Sequence, residues 1–376
     1  MSAWRQRGVG VLALLLLLAA AVGGGQYLGL AAPFSGDAFA TAGASTPGEV
    51  PNPYGRAEVT YDDEGVPHVT ADNERALYFA VGYLQARDRL FQMDLQRRVM
   101  NGTLSEVAGN ATLESDRFHE RMGFREAAEA TWRQLRDTDH GAKLRAFSSG
   151  VNRYVSTRPL PLEFRLNDYE PREWTPVATL LVGQQISWQL SGGFADLEAA
   201  TVRRNLPEAT GLYPRQLDHD AAIIEDDRPG QSWTPSVNAT TGGPEPAAVG
   251  QVYEAVRQFA GAGGLGSNNW AVSGEHTASG RPLLANDPHL LLQAPPVWYE
   301  MRLSAPDLDV RGVGFPGIPF VILGTNQEVS WGVTNVGADV TDFYTYEWRD
   351  GEYWYDGQWR EPTSETRELG VSGGEN

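Results

Sequence analysis

The sequence predicts an α+β protein, and two observations predict it. Up to about residue 225 the apolar residues recur mainly at helical spacing, whereas after Ser267 short alternating segments separated by turns read as strands. Between them, from Asp226 to Gly266, Pro, Gly, Ser and Thr dominate, which marks a loop or spacer. The chain has 376 residues, 41% of them hydrophobic and 10% aromatic, so it can bury a sizeable core.

The elements follow in order. Arg5 and Arg7 precede an uncharged stretch whose most apolar part runs from Val9 to Val22, the pattern of an export signal. The apolar part is short for a spanning helix of about 20 residues, which favours a cleaved signal, and the uncharged tail through Leu30 keeps an uncleaved membrane anchor open. Either way the working part is expected outside the cytoplasm. Residues 31–54 read as a linker. Ala57 to Tyr61, a turn at Asp62 to Gly65, and Val66 to Thr70 predict a hairpin, after which Asp72 is the expected helix N-cap. A long helix is predicted from Leu77 through Arg98, and further helices over 113–135, 142–154, 176–190 and 195–205. Val252 to Phe259 is helix-like within the spacer. Strands are predicted at Asn269–Ser273, Pro282–Ala285, Val297–Leu303, Val310–Gly312, Phe320–Leu323, Val329–Thr334 and Phe343–Trp348.

Composition excludes several functions. With no cysteine there is no disulfide framework, thiol nucleophile, iron–sulfur cluster or Cys-ligated zinc, so any nucleophile is oxygen or nitrogen. Forty-eight acidic against 30 basic residues give a net charge of −18, and Lys143 is the only lysine. Such a surface repels phosphate backbones, so nucleic acid is not an expected partner. The Lys-poor, carboxylate-rich balance also resembles that of proteins working in strong brine. Asn101, Asn110 and Asn238 head Asn-x-Thr sequons.

The junction Gly264-Leu265-Gly266-Ser267-Asn268-Asn269-Trp270 joins a Gly-rich tract to a strand. Glycine at 266 has no Cβ to resist strained dihedrals, which suits attack by the Ser267 hydroxyl on the preceding carbonyl. A freed α-amine, with an ordinary pKa of about 7.7 to 8.0, can then act as general base for its own Oγ. Around this junction Gly65-Val66-Pro67-His68-Val69, the run from Gly82 to Arg98, Asn286-Asp287-Pro288-His289, Gly314 to Pro319, and Ser330-Trp331-Gly332-Val333-Thr334-Asn335 stand in a recognisable order. Together they resemble the penicillin acylases, which are N-terminal nucleophile hydrolases, over about residues 55 to 376.

The resemblance implies an αββα sandwich with a helix-rich small chain (55–227), a spacer (228–266) and a β-rich nucleophile chain from 267, the two chains staying associated after self-cleavage between Gly266 and Ser267. Ser267 is implied as nucleophile, His289 as a residue contacting the substrate, and the backbone near Asn335, with Val336 beside it, as oxyanion donor. A calcium (Ca²⁺) loop is implied at Asp339, Thr341 and Asp342, bridged by Glu198. Arg87, Asp88, Arg89 and Arg97 are read as structural salt bridges and caps, and His68 as a packed or hydrogen-bonded histidine. The implied substrate is a small-molecule N-acyl amide: the side-chain amide of a β-lactam, an acyl-homoserine lactone or a lipopeptide. Only 110 residues follow Gly266, fewer than the family's nucleophile chain, so the expected downstream Asn and Arg are absent and the chain reads as C-terminally truncated. The alternative is an inactive fragment or extracellular scaffold retaining the fold. A Gly-x-Ser-x-Gly at 370–374 abuts the chain end without a following helix and reads as noise, and no two carboxylates pair as a glycosidase requires.

Overall fold

The computed structural model describes residues 48, 50–191, 193–206, 252–259, 266–290, 293–335, 341, 343–344 and 346–373. The export signal or anchor and most of the spacer lie outside them. Among the described residues no helix is long and apolar enough to cross a membrane. The chain divides into two compact units. The first comprises residues up to 185, 266–334 and 369–376, and the second 186–265 and 335–368.

In the first unit, β1 (Ala57–Tyr61) and β2 (Pro67–Ala71) form the expected hairpin. Asp62 closes it, accepting from the Val66 N–H at 2.8 Å, with His68 Nε2 3.3 Å away. The Val66 donor, more than His68, holds the Asp62 carboxyl below its ordinary value. Buried Ala57, Val59, Val69 and Ala71 alternate with solvated residues, as a half-buried sheet requires.

Helix α1 (Glu74–Met100) is capped by Asn73, not by Asp72: the Asn73 side chain accepts from the Ala76 N–H, while Asp72 accepts from the Arg56 N–H across the hairpin. Every residue from Ala76 to Ala86 is buried. A helix buried all round needs neighbours on every side, and α1 lies between the sheet and α5 (Asp139–Thr157). Gly82 and Gly150 make this approach possible, because a Cβ on either would collide with the backbone carbonyl of Phe147 or Phe79. The expected helix over 113–135 is broken at left-handed Gly123 into α3 (Leu113–Met122) and α4 (Phe124–Leu135). Two short helices lie outside the expected spans, α2 (Ser105–Ala108) and α6 (Leu162–Leu166). Helix α7 (Pro176–Ser191) and, in the second unit, α8 (Ala195–Asn205) match their expected spans.

After Ser267 come β3 (Ser267–Val272), β4 (Leu283–Pro288), β5 (Tyr299–Ala305), β6 (Leu308–Gly314), β7 (Leu323–Thr325) and β8 (Ser330–Trp331). Strands β3 and β4 form a two-stranded ribbon; the others join the hairpin in one mixed sheet of order β1-β2-β5-β6-β7-β8. The decisive pairing is β2 with β5, parallel, His68 opposite Arg302 and Thr70 opposite Ser304. The segment 320–323 is strand only at its last residue and 329–334 only at 330–331, because Trp331 ends its pairing at Gly324 and the chain beyond it bonds to Asn286 instead.

The second unit holds α8 and the meander β9 (Trp348–Arg349), β10 (Glu352–Tyr355) and β11 (Gln358–Arg360). Among the described residues of the expected strand 343–348 only Trp348 is strand, and β10 and β11 follow where no strand is expected. The indole of Trp188 donates to Phe259 O at 2.9 Å, and Phe194 packs between Trp188 and Phe343.

One buried titrating group sets a pH dependence. His119 is 7% exposed and donates its Nδ1–H to Ser115 O at 2.7 Å. Burial pushes its imidazole below the ordinary 6.5, against the opposing pull of the Ser115 carbonyl and Asp116. The unfolded chain therefore takes up the proton first, so the stability tied to neutral His119 is complete above about pH 6.5 and falls as pH drops towards the folded-state value. The thermal midpoint is expected to fall more steeply between about pH 7 and 5 in the parent than in His119→Gln. Equal slopes would refute this.

Candidate active site

The ribbon β3–β4 positions the candidate nucleophile. Ser267 opens β3 and pairs with Pro288, so His289, just past β4, lies opposite Gly266. The backbone N–H of His289 donates to the Gly266 carbonyl at 2.9 Å. That carbonyl belongs to the bond expected to break, and an N–H aimed at its oxygen is the donor that a tetrahedral oxyanion needs. Ser267 is half-buried, and its Oγ lies 2.6 Å from Thr334 Oγ1. Thr334 Oγ1 also donates to Ser267 O at 3.1 Å.

Thr334 reaches Ser267 because Asn286 on β4 holds the preceding residue. The Asn286 carboxamide accepts from the Val333 N–H at 2.8 Å and donates to Val333 O at 3.1 Å, acting as a short substitute for a strand partner. Gly332 is required here, since a Cβ on it would lie 2.5 Å from Asn286 Oδ1. Gly266 is a different case from the one expected. It is not among the glycines with left-handed φ, and its missing Cβ leaves room for the His289 ring, whose Nδ1 would otherwise stand 3.2 Å away.

The imidazole of His289 is half-exposed, with Nε2 3.2 Å from Asn268 Nδ2 and 3.3 Å from Asp287 Oδ2. Asn335 follows Thr334 in the chain, and its side-chain amide donates to Leu190 O at 2.6 Å within the second unit. Val336, Asp339 and Asp342 lie outside the described residues. Glu198 is exposed on α8. Among the described residues no group of three His, Asp or Glu side chains could hold a metal ion. Three open cavities, one lined in part by Arg97 and Leu181, one by Pro51 and Glu173 and one by Tyr253 and Gln258, are not lined by Ser267.

Arg87, Asp88, Arg89 and Arg97 join structural networks, in line with their reading as salt bridges and caps. Asp88 pairs with Arg87 and accepts from the Tyr299 hydroxyl at 2.8 Å; burial, reinforced by that carboxylate, raises the Tyr299 phenol well above its ordinary value. Arg89 donates to Pro296 O at 3.1 Å. Buried Gln85 binds both the Gly317 N–H and Ile318 O. Sequence reasoning gave no role to Thr334 or Asn286, although both stand in the motifs it singled out; only their contacts distinguish them from strand-end residues.

The family model for penicillin amidase matches residues 56–376. The chain is 30% identical over 325 residues to penicillin acylase 2 proenzyme of Pseudomonas sp. (strain SE83), covering 84% of this chain and 41% of that protein. It is 31% identical over 324 residues to acyl-homoserine lactone acylase QuiP of Pseudomonas aeruginosa, covering 81% of this chain and 36% of that one. Among solved structures, the thermostable penicillin G acylase of Alcaligenes faecalis aligns at 25% identity and a TM-score of 0.36, over 48% of this chain and 98% of that chain. The chain thus spans well under half the length of the two curated relatives.

Proposed function

This chain belongs to the penicillin amidase family, and from that premise we propose that it is the self-cleaving, nucleophile-bearing part of an acylase that hydrolyses a linear amide. The observation that carries the reading is the Gly266 carbonyl, held by the His289 N–H beside the Ser267 hydroxyl. Ser267 Oγ adds to the Gly266 carbonyl carbon, and the oxygen gains negative charge against the His289 N–H. The Gly266–Ser267 amide bond then breaks, the proton that left Ser267 Oγ ends on its nitrogen, and an ester joins Gly266 to Ser267 Oγ. Water hydrolyses that ester and leaves Ser267 with a free α-amine.

In the cut protein that amine takes the Oγ proton as Ser267 attacks an N-acyl amide and returns it to the departing amine; water then frees the acid. The backbone at Asn335 and Val336 is the proposed oxyanion donor for this second reaction. Its substrate is a small N-acyl amide, and a β-lactam side-chain amide and an acyl-homoserine lactone are the two classes that the relatives' names supply. After the cut the pieces stay together, because β2 comes from one and β5 from the other and both belong to one sheet. N-terminal sequencing of protein purified in high salt tests the reading: the new terminus is Ser267-Asn268-Asn269, and an uncut chain would leave a scaffold without turnover.

An exported location and a Ca²⁺ site belong to the same proposal. The export reading rests on Arg5, Arg7 and the apolar stretch that follows. The Ca²⁺ reading rests on the resemblance of Asp339, Thr341 and Asp342, bridged by Glu198, to the family's calcium loop, whose hard oxygens suit the ion, and no step of the reaction passes through it. A calcium-selective chelator is expected to lower the thermal midpoint, with recovery on adding Ca²⁺ but not Mg²⁺. An unchanged midpoint would remove the ion from the account.

A further inference from the structure

We propose that Thr334 is a positioning residue for self-cleavage, its hydroxyl setting the direction of the Ser267 Oγ proton before the cut. The inference rests on the reading of Ser267 as the self-cleaving nucleophile.

A threonine hydroxyl has one proton. Thr334 Oγ1 lies 3.1 Å from Ser267 O, a carbonyl that can only accept, and 2.6 Å from Ser267 Oγ. With the Thr334 proton on the carbonyl, the shorter contact has one consistent direction: Ser267 Oγ–H donates to Thr334 Oγ1. The serine hydroxyl is thereby oriented at both ends of its own residue, through its side chain and its carbonyl. Its proton points at Thr334, and the lone pairs that must add to the Gly266 carbonyl carbon are turned away from Thr334. A serine free to rotate spends part of its time with the proton in the line of attack, and fixing it removes that loss.

The device is built rather than incidental. Thr334 is β-branched, so its χ1 is restricted. The residue before it is held from both sides by the Asn286 carboxamide, and Asn286 sits on β4 opposite Asn269, two residues along the strand from Ser267. Gly332 gives that carboxamide its space. One side chain on β4 therefore transmits the position of β3 to the threonine that contacts the nucleophile.

The covalent step is the one already written, with water as the only co-reactant. The hydroxyl of Thr334 neither gains nor loses a proton over the sequence; it orients one.

The test follows self-cleavage of the full chain by pulse-chase after cell-free synthesis in high salt, comparing parent, Thr334→Val, Thr334→Ser and Ser267→Ala. Val keeps the shape and loses the hydroxyl; Ser keeps the hydroxyl. Cleavage is expected to be roughly 3- to 10-fold slower in Thr334→Val, the range for one lost hydrogen bond, and within about twofold of the parent in Thr334→Ser. If the Val variant does not fold, Thr334→Ala is read by the same criterion. Equal rates in parent and Val variant would overturn the role of Thr334 while leaving Ser267 as nucleophile. A Ser variant as slow as the Val variant would also overturn it, because a packing role would then account for the effect. A parent chain that never cuts would overturn both this inference and the reading it rests on.

Discussion

Ser267→Ala is expected to yield one uncut polypeptide where the parent yields two, the second beginning Ser267-Asn268-Asn269. The effect is all-or-none because the variant removes the hydroxyl that the proposed cut uses as its nucleophile. Gly266 O stays bonded to the His289 N–H, since both are backbone groups, so the carbonyl remains polarised while the Ser267 hydroxyl is gone. Intact mass separates the outcomes without an activity assay. The control is fold integrity: Ser267 is half-buried and its Oγ bonds Thr334, so its loss is expected to move the thermal midpoint little. A variant still cut between residues 266 and 267 would mean that something other than the Ser267 hydroxyl performs the cut, and the acylase mechanism would fall with it. A clean loss of cleavage justifies a screen of N-acyl amides on the parent.

Asp94→Ala is expected to cost about 3 to 5 kcal/mol, against a total stability of about 5 to 15 kcal/mol for a typical protein. Asp94 is 1% exposed and stands between two guanidinium groups on its own helix. It pairs with Arg97 and accepts from Arg98 Nε at 2.8 Å, and the Tyr169 hydroxyl donates to it at 3.1 Å. Burial, and next to it the Asp94 carboxylate, hold the Tyr169 phenol above its ordinary value, so it remains a donor at neutral pH. Arg97 spends its other donors on Arg172 O and Glu173 O, and Arg98 reaches Glu106 at 2.9 Å. Without the carboxylate, two mostly buried cations face one another with no charge between them. The exposed pair Arg117–Glu114 is the contrast: a pair in water is worth about 0 to 1 kcal/mol, so Glu114→Ala is expected to change little. Chemical denaturation of both variants measures the difference. A loss below about 1 kcal/mol in Asp94→Ala would show that relaxation or water replaces the carboxylate.

Much of the local structure was legible from the chain. The hairpin at 57–71, the long helix that became α1, and the helices beginning at 176 and 195 came from apolar spacing, because period and length are local properties. Boundaries were less legible where two capping residues compete. Asp72 and Asn73 are both good caps, and the choice fell to Asn73 because Asp72 is drawn to the Arg56 N–H on the neighbouring strand. The short strands after 320 were overextended, since an apolar run promises a strand only where a partner is present to pair with it.

The amino-acid sequence by itself determined the chemistry: a cysteine-free, acidic chain with a serine behind a glycine-rich tract and a set of motifs in the order of one family. Tertiary structure decided how that chemistry is assembled. The parallel pairing of β2 with β5 joins segments more than 200 residues apart, and no local pattern encodes it. His289 was singled out for its position, yet its closest tie to Gly266 is through its backbone N–H, a group every residue but proline carries. Thr334 and Asn286 gained their roles through hydrogen bonds to residues 67 and 47 positions away. The physical reason is the same in each case: spacing along a chain sets which groups are available, whereas a hydrogen bond of 2.6 to 3.1 Å exists only once packing has brought the two strands into register.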